Sequence, residues 1–490
     1  MGARMRGSST RPSPRAIRNS VALSVRLYVC TSVRLSVCTS VRLYVRTSVR
    51  PSVCPSYVPP TDPPVHRRHF VTSAVGSVAT LSPAALRIAD RLATWAPGTP
   101  PDALAEDEDF WFQVRQAFTV DRNNINLNNG SVAPAPRSVQ RAQQDYLALT
   151  NMSPSYYVDE MLYPGFEVVR RRLATRFGCD PEEIAITRNT TEALEAVQLG
   201  MELQRGDEIL TTTQDYPSMI TAWRQRERRD GVVLRFLSFP SPPPSVDDLV
   251  ARVERAITPR TKVIHVSHVY YTTGQVFPVR RICQMARARG IEVVVDGGHS
   301  FAQFPFTRDE LDCDYFGTSL HKWLSAPVGT GFLYVRKAKI PKIWSLFASP
   351  AEMQDNIRKF EAIGTFPVHI RNPITEAVDF WESIGPERKA ARLRLLRRRW
   401  VNAVKGLPKV KILTPDDDAQ SCALGAMSMD GVTGPQLTDW LMAKHRVHVR
   451  PRVVPDEFSC IRVTPNVYTT LEEVDVFARA VAQAATRGLS

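Results

Sequence analysis

Lys322 stands directly after a histidine in "DYFGTSLHKWLSAPVGTGFLYV" (residues 314–335), with Thr318 and Ser319 before it and a glycine turn into an apolar strand after it. An amine held out of water is a nucleophile able to form an imine with a carbonyl, whereas a solvated lysine is only a charge. Asp296 lies 26 residues earlier, closing the apolar run "IEVVVD" ahead of "GGHS". A carboxylate at the tip of such a strand needs a partner that justifies its position. A third stretch, "TRNTTEAL", places Asn189, Thr190 and Thr191 at a predicted helix start, where hydroxyls and free N–H groups form a natural phosphate cradle. A plain threonine N-cap explains the same residues. An amine for an imine, a carboxylate to hold a pyridine nitrogen protonated and a phosphate cradle are the parts that pyridoxal 5'-phosphate requires, and together they are far more specific than separately.

The elements that must position these groups are legible in the pattern. Short apolar runs at 182–187, 207–212, 232–237, 262–269, 291–296, 313–319 and 329–335 read as seven strands. Between them, "TEALEAVQLGMEL", "VDDLVARVERAI" and "RRICQMARARG" have helical periodicity. The alternation predicts an α/β fold with a mostly parallel seven-stranded sheet and its site outside the carboxyl ends of the strands. The predicted large domain covers 151–345, joined by a segment at 105–150 to a smaller α+β domain at 346–490. The small domain holds a long basic helix, "ERKAARLRLLRRRWVNAV", whose arginines read as a solvated face.

The chain has 490 residues and a formal net charge of +14, of which residues 1–70 contribute +11 through twelve arginines and one aspartate. The rest is nearly neutral, so the charge gives no support to a nucleic-acid role. No uncharged apolar run is long enough for a membrane span. The eight cysteines include no CxxC or Cys/His metal spacing, and they read as reduced thiols. Residues 24–55 repeat with period eight, keeping Ser24, Ser32, Ser40 and Ser48 in register. With no second layer to pack on, residues 1–64 are expected to be disordered or to precede the true start. From Val65, "VHRRHFVTSAVGSVATLSPAAL" resembles a twin-arginine export signal, expected over 65–90 with translation starting near Val65. A periplasmic or exported location follows if that signal acts, and a cytoplasmic one if it does not.

"TRNTTEAL", "VVVDGGHSFAQ" and "GTSLHKWLSAPVGTGFLYV" resemble the class V aminotransferase family of fold-type I pyridoxal-phosphate enzymes, in its isopenicillin N epimerase-like branch, over roughly residues 110–485. The resemblance implies that Lys322 forms the imine with the cofactor and moves the substrate α-proton, and that Asp296 pairs with the pyridine nitrogen. It places His299 near the cofactor's phenolic oxygen, as it does His268, and stacks Tyr216 on the ring. Asn189, Thr190, Thr191, Ser319 and His321 would hold the phosphate. The family is typically homodimeric with a shared site, and Gly364 and Thr365 match the pair supplied by the second subunit. Arg462 matches the residue that binds the substrate α-carboxylate, and Asn129 in "LNNGSVAP" a substrate contact. Arg450 and Arg452 suit a second carboxylate on the substrate or an exposed loop.

Epimerisation, transamination and carbon–sulfur lysis share this chemistry, and the sequence does not separate them. Cysteine desulfurases of the family carry a nucleophilic cysteine on the loop before the carboxylate-binding arginine. Here "VRPRVVPDEFSCIRV" has proline and valine instead, with Cys460 two residues from Arg462. A protein of the same fold that binds without catalysing is the alternative of another class.

Overall fold

The octad repeat and the twin-arginine stretch fall outside the residues described by the computed structural model, which are 90–489 with residue 96 excepted. Seven strands form the main sheet: β1 (Ile184–Thr187), β2 (Glu208–Thr212), β3 (Val233–Leu237), β4 (Thr261–Ser267), β5 (Glu292–Asp296), β6 (Tyr315–Ser319) and β7 (Gly331–Val335). Their order is β1-β7-β6-β5-β4-β2-β3. Pairing is parallel from β3 through β6, and β7 runs antiparallel to both of its neighbours. Six strands therefore point the same way, and their carboxyl ends share one edge, where an open α/β sheet binds its ligand.

Helices cover both faces of this sheet. Phe177, Phe316 and Phe332 pack on one face, while Leu194, Trp223, Val263, Val294 and Leu333 fill the other. That two-sided burial explains why the strands read as continuous apolar runs rather than alternating ones. Helix α1 (Thr190–Gly200) starts on the Asn189 side chain, which accepts the Glu192 N–H at 2.9 Å. It lies hard against β6 because Gly317 has no side chain: a Cβ there would stand 2.7 Å from Leu194. That close approach brings the start of α1 to the end of β6, so the Thr190 N–H donates to Ser319 Oγ at 2.9 Å.

The smaller sheet is antiparallel, with β8 (Val410–Ile412), β9 (Gly425–Met429), β10 (Arg450–Val454) and β11 (Phe458–Val463) in the order β10-β11-β9-β8. Its core joins Met427, Ile461 and Val463 to Trp400 of α2 (Pro386–Val404) and Phe477 of α3 (Leu471–Arg487). Ile125–Asn126 pairs in parallel with Val447–His448, so the segment leading into "LNNGS" runs beside this sheet.

Helix α2 corrects one expectation. Its arginines are not simply a solvated face: Arg392 and Arg397 are buried and paired with Glu108 and Asp418. Lys389 is also buried, and its ammonium donates to the Trp323 carbonyl. A helix packed on two sides leaves little free surface, and its long cations reach out to acceptors at the rim of the contact.

Candidate functional site

The carboxyl ends of β1, β2, β4, β5 and β6 converge on one cavity. It is lined by Asn189, Thr190 and Thr191 after β1, Tyr216 after β2, Ser267, Val269 and Tyr271 around the end of β4, Asp296 and His299 after β5, and Ser319, His321 and Lys322 after β6. Ser131, from the segment beside the small sheet, closes one side. The two residues singled out first in the sequence, Lys322 and Asp296, thus face each other from neighbouring strands.

Gly298 measures how tightly they converge. A Cβ built on it would stand 2.9 Å from Asp296 Oδ1, 3.0 Å from Thr190 Oγ1 and 3.4 Å from Lys322 Nζ. The missing side chain leaves room between carboxylate, hydroxyl and amine. Asp296 itself is 7% exposed and accepts the Gly298 N–H at 2.8 Å. Burial raises its carboxyl above the usual range, while the Gly298 N–H, His265 and Lys322 act in the other direction. A carboxylate so placed is stabilised by a cationic or N–H partner.

The Lys322 amine is pushed down to about 8, chiefly by burial and further by Arg462 and Arg452, with Asp296 opposing the shift. Its nearest polar neighbour is His299, with Nε2 at 3.5 Å from Nζ. Burial holds the His299 imidazole neutral, well below the usual histidine range, and Lys322 adds to the effect. A lysine in this state is neutral more often near neutrality than a solvated one, and only the neutral amine attacks a carbonyl. The rate at which Lys322 attaches to an added aldehyde cofactor therefore rises with pH and levels off above about 8. Stopped-flow absorbance on mixing the apo-protein with pyridoxal phosphate reads this directly. A midpoint near the ordinary lysine value of about 10.4 would contradict it.

The residues present fit pyridoxal phosphate. Asp296 supplies the buried carboxylate for a ring nitrogen. The start of α1, with Thr190, Thr191 and Ser319, supplies N–H and hydroxyl donors for a phosphate. Thr190 Oγ1 and Ser319 Oγ are 2.7 Å apart, so one of them donates to the other and a lone pair or proton remains for a ligand. His321 Nδ1 lies 3.1 Å from the Thr330 carbonyl, which can only accept, so Nδ1 carries the proton; burial, and Lys322 beside it, push this imidazole down to about 4, which leaves Nε2 unprotonated rather than a donor. Tyr216 is 39% exposed and meets Tyr271 edge-on at 5.3 Å, which leaves ring surface free for stacking.

Arg462 is 1% exposed on β11. It donates to the Tyr271 carbonyl at 3.2 Å, Asn128 Oδ1 at 3.0 Å and Ser131 Oγ at 2.9 Å. The three groups it donates to are neutral, and its charge remains available to an anion.

Four expected residues are not brought into the cavity. His268 packs edge-on against Phe304 and Phe306, on the face opposite to Ser267 and Val269. Register explains this: Ser267 pairs with Asp296, so the next residue points the other way. Asn129 is completely buried, and its amide is consumed by the Asn126 and Thr464 carbonyls and the Tyr468 hydroxyl. Its neighbour Asn128 is the one that meets Arg462. Gly364 and Thr365 are exposed and lie outside the cavity lining; the role the resemblance gives them is toward a second copy. Ser131, Ser267, Tyr271 and Asn128 were missed, since small polar and aromatic residues without a motif carry no sequence signal.

Comparison with known proteins follows the geometry. A family model described as aminotransferase class-V matches residues 125–477. Isopenicillin N epimerase from Streptomyces clavuligerus is 29% identical over 388 residues, covering 76% of this chain and 97% of that protein. The enzyme of the same name from Amycolatopsis lactamdurans is 30% identical over 390 residues, covering 76% and 98%. Among solved structures, the apo cysteine desulfurase from Thermococcus onnurineus NA1 superposes with a TM-score of 0.66 at 22% identity, covering 76% of this chain and 98% of that one. That likeness establishes the fold, fold-type I, and nothing finer.

Proposed function

Because the chain belongs to the aminotransferase class-V family of pyridoxal-phosphate enzymes, we propose that it moves a proton at the α-carbon of an amino acid and that its reaction is α-epimerisation. The observation that carries the α-proton reading is Lys322, a buried amine on the β6 end, lowered to about 8, beside neutral His299 and across Gly298 from Asp296, and the likeness to isopenicillin N epimerases favours epimerisation among the reactions that share it. Bound pyridoxal phosphate supplies an electron sink conjugated to Cα, which weakens the bonds there. The chain's own residues do the rest. Asp296 holds a positive charge at the ring nitrogen, and Arg462 fixes the α-carboxylate through its guanidinium fork. The Lys322 amine takes or delivers the α-proton on one face of Cα, and inversion requires a second proton donor on the opposite face. Its lowered pKa suits that task, because a base works best when its pKa lies near the working pH.

Cys460 supports this reading over persulfide chemistry. It sits on β11, is 1% exposed, and burial pushes its thiol up to about 12. A thiol in that state is not the accessible thiolate that attack on sulfur needs. The test is incubation of the loaded enzyme with a panel of amino acids in deuterated buffer. Exchange of the α-hydrogen with inversion is the expected result. Stoichiometric keto acid, or pyruvate with released thiol, would replace epimerisation by transamination or lysis.

A further inference from the structure

The hairpin β10–β11 carries arginines on one face. Its register pairs Arg450 with Arg462 and Arg452 with Cys460, and residues two apart along a strand share a face. The opposite face holds Ile461 and Val463 in the core of the small domain, so the arginine face turns toward the cavity. Arg462 meets that cavity through Ser131 and Tyr271. Arg452 meets it by stacking on the Tyr271 ring, with the guanidinium carbon 5.0 Å from the centroid.

Most buried guanidinium groups in this protein have a carboxylate. Arg170 and Arg371 pair with Glu361, Arg226 with Asp230, Arg392 with Glu108 and Arg397 with Asp418. Buried Arg462 and half-buried Arg452 depart from this: among the described residues neither forms an ion pair, and, as in Arg392 and Arg397, the Nε of each has no hydrogen-bond partner. The one hydrogen bond of Arg452 runs to the adjacent Pro451 carbonyl, at 3.3 Å. Nor is Arg452 on a free loop. Glu457, at the turn of the hairpin, accepts from Ser238 Oγ at 2.8 Å and Gln214 Nε2 at 3.1 Å, and also from the Thr213 hydroxyl. Those bonds fasten the hairpin to the segment that carries Tyr216. A buried cation, Arg462, and a half-buried one, Arg452, thus stand at one cavity without counter-charge among the described residues, an arrangement that anions from a ligand complete.

We infer that the substrate is an α-amino acid with a second carboxylate on its side chain, and that Arg452 binds that carboxylate. The inference rests on the proposed function, in which Arg462 takes the α-carboxylate. Arg452 is the diagonal cross-strand neighbour of Arg462, which sets their backbones roughly 7–8 Å apart. A short dicarboxylic side chain spans such a pair, whereas an amino acid with an apolar side chain leaves the half-buried Arg452 unpaired.

The test is calorimetric titration of the cofactor-loaded protein with succinate, glutarate and adipate against butyrate and valerate, with the bound-cofactor absorbance recorded in the same samples. At least one dicarboxylate is expected to bind on the order of tenfold tighter than the monocarboxylates, and R452Q to erase that difference. Equal affinities in the wild-type protein, with cofactor absorbance intact, would overturn the role of Arg452 and leave the proposed function standing. Absence of bound-cofactor absorbance in the wild-type protein would overturn both. The wild-type comparison does not depend on whether the variant folds.

Discussion

Lys322→Ala is expected to lower turnover on the order of 10⁵-fold, about 7 kcal/mol of barrier, because it removes both the attachment point and the proton carrier. The fold should survive. Lys322 is a buried amine whose charge is opposed by burial and by Arg462 and Arg452, so its loss relieves the site electrostatically. Asp296, Thr190 and Ser319 remain to hold the cofactor, which should still bind but with the absorbance of a free aldehyde rather than of an imine. Kinetics and the absorption spectrum of the variant check both halves. Full turnover in this variant would remove Lys322 from the chemistry.

Asp296→Asn is expected to cost roughly 10³-fold in turnover, about 4 kcal/mol, with cofactor binding weakened by a smaller factor. An asparagine is close to isosteric and keeps an oxygen to accept the Gly298 N–H, so packing changes little. What it lacks is charge. Without a carboxylate beside it, a pyridine nitrogen has no reason to stay protonated, and the electron sink weakens. The substitution has a second reading that structural damage would not imitate. Asp296 is the group that raises the Lys322 pKa against burial, so its removal lowers that pKa further. The pH midpoint for cofactor attachment should accordingly move down in the variant. An unchanged midpoint would mean that the two groups are not coupled in this way.

The candidate site was legible in the sequence because it depends on strand ends. "VVVDGG" and "TSLHKW" each put a charged residue where an apolar strand stops, and parallel strands bring all their ends to one edge. The seven-stranded sheet followed from apolar runs alternating with helical periods, with boundaries shifted by one or two residues. Side-chain direction at a strand end was not legible. His268 looked as suitable as His299, and only the pairing of Ser267 with Asp296 sends it to the aromatic side. Asn128 and Asn129 were equally ambiguous, since which amide is consumed by the Thr464 strand depends on a pairing more than 300 residues distant. The buried ion pairs of α2 were hidden for a similar reason: Glu108 is 284 residues from Arg392, and Asp418 reaches Arg397 only through the fold of the chain after the helix. Arg452 had two readings from sequence alone. Against the exposed-loop reading stands Glu457, whose bonds to Gln214 and Ser238 fasten the hairpin.

The assignment of Lys322 as the attachment point is tested most directly by reductive trapping. The wild-type protein is loaded with pyridoxal phosphate, reduced with borohydride, digested and mapped by mass. The predicted result is a single phosphopyridoxyl modification on the peptide that contains Lys322, formed stoichiometrically. A modification that falls on another lysine, or none at all, would contradict it.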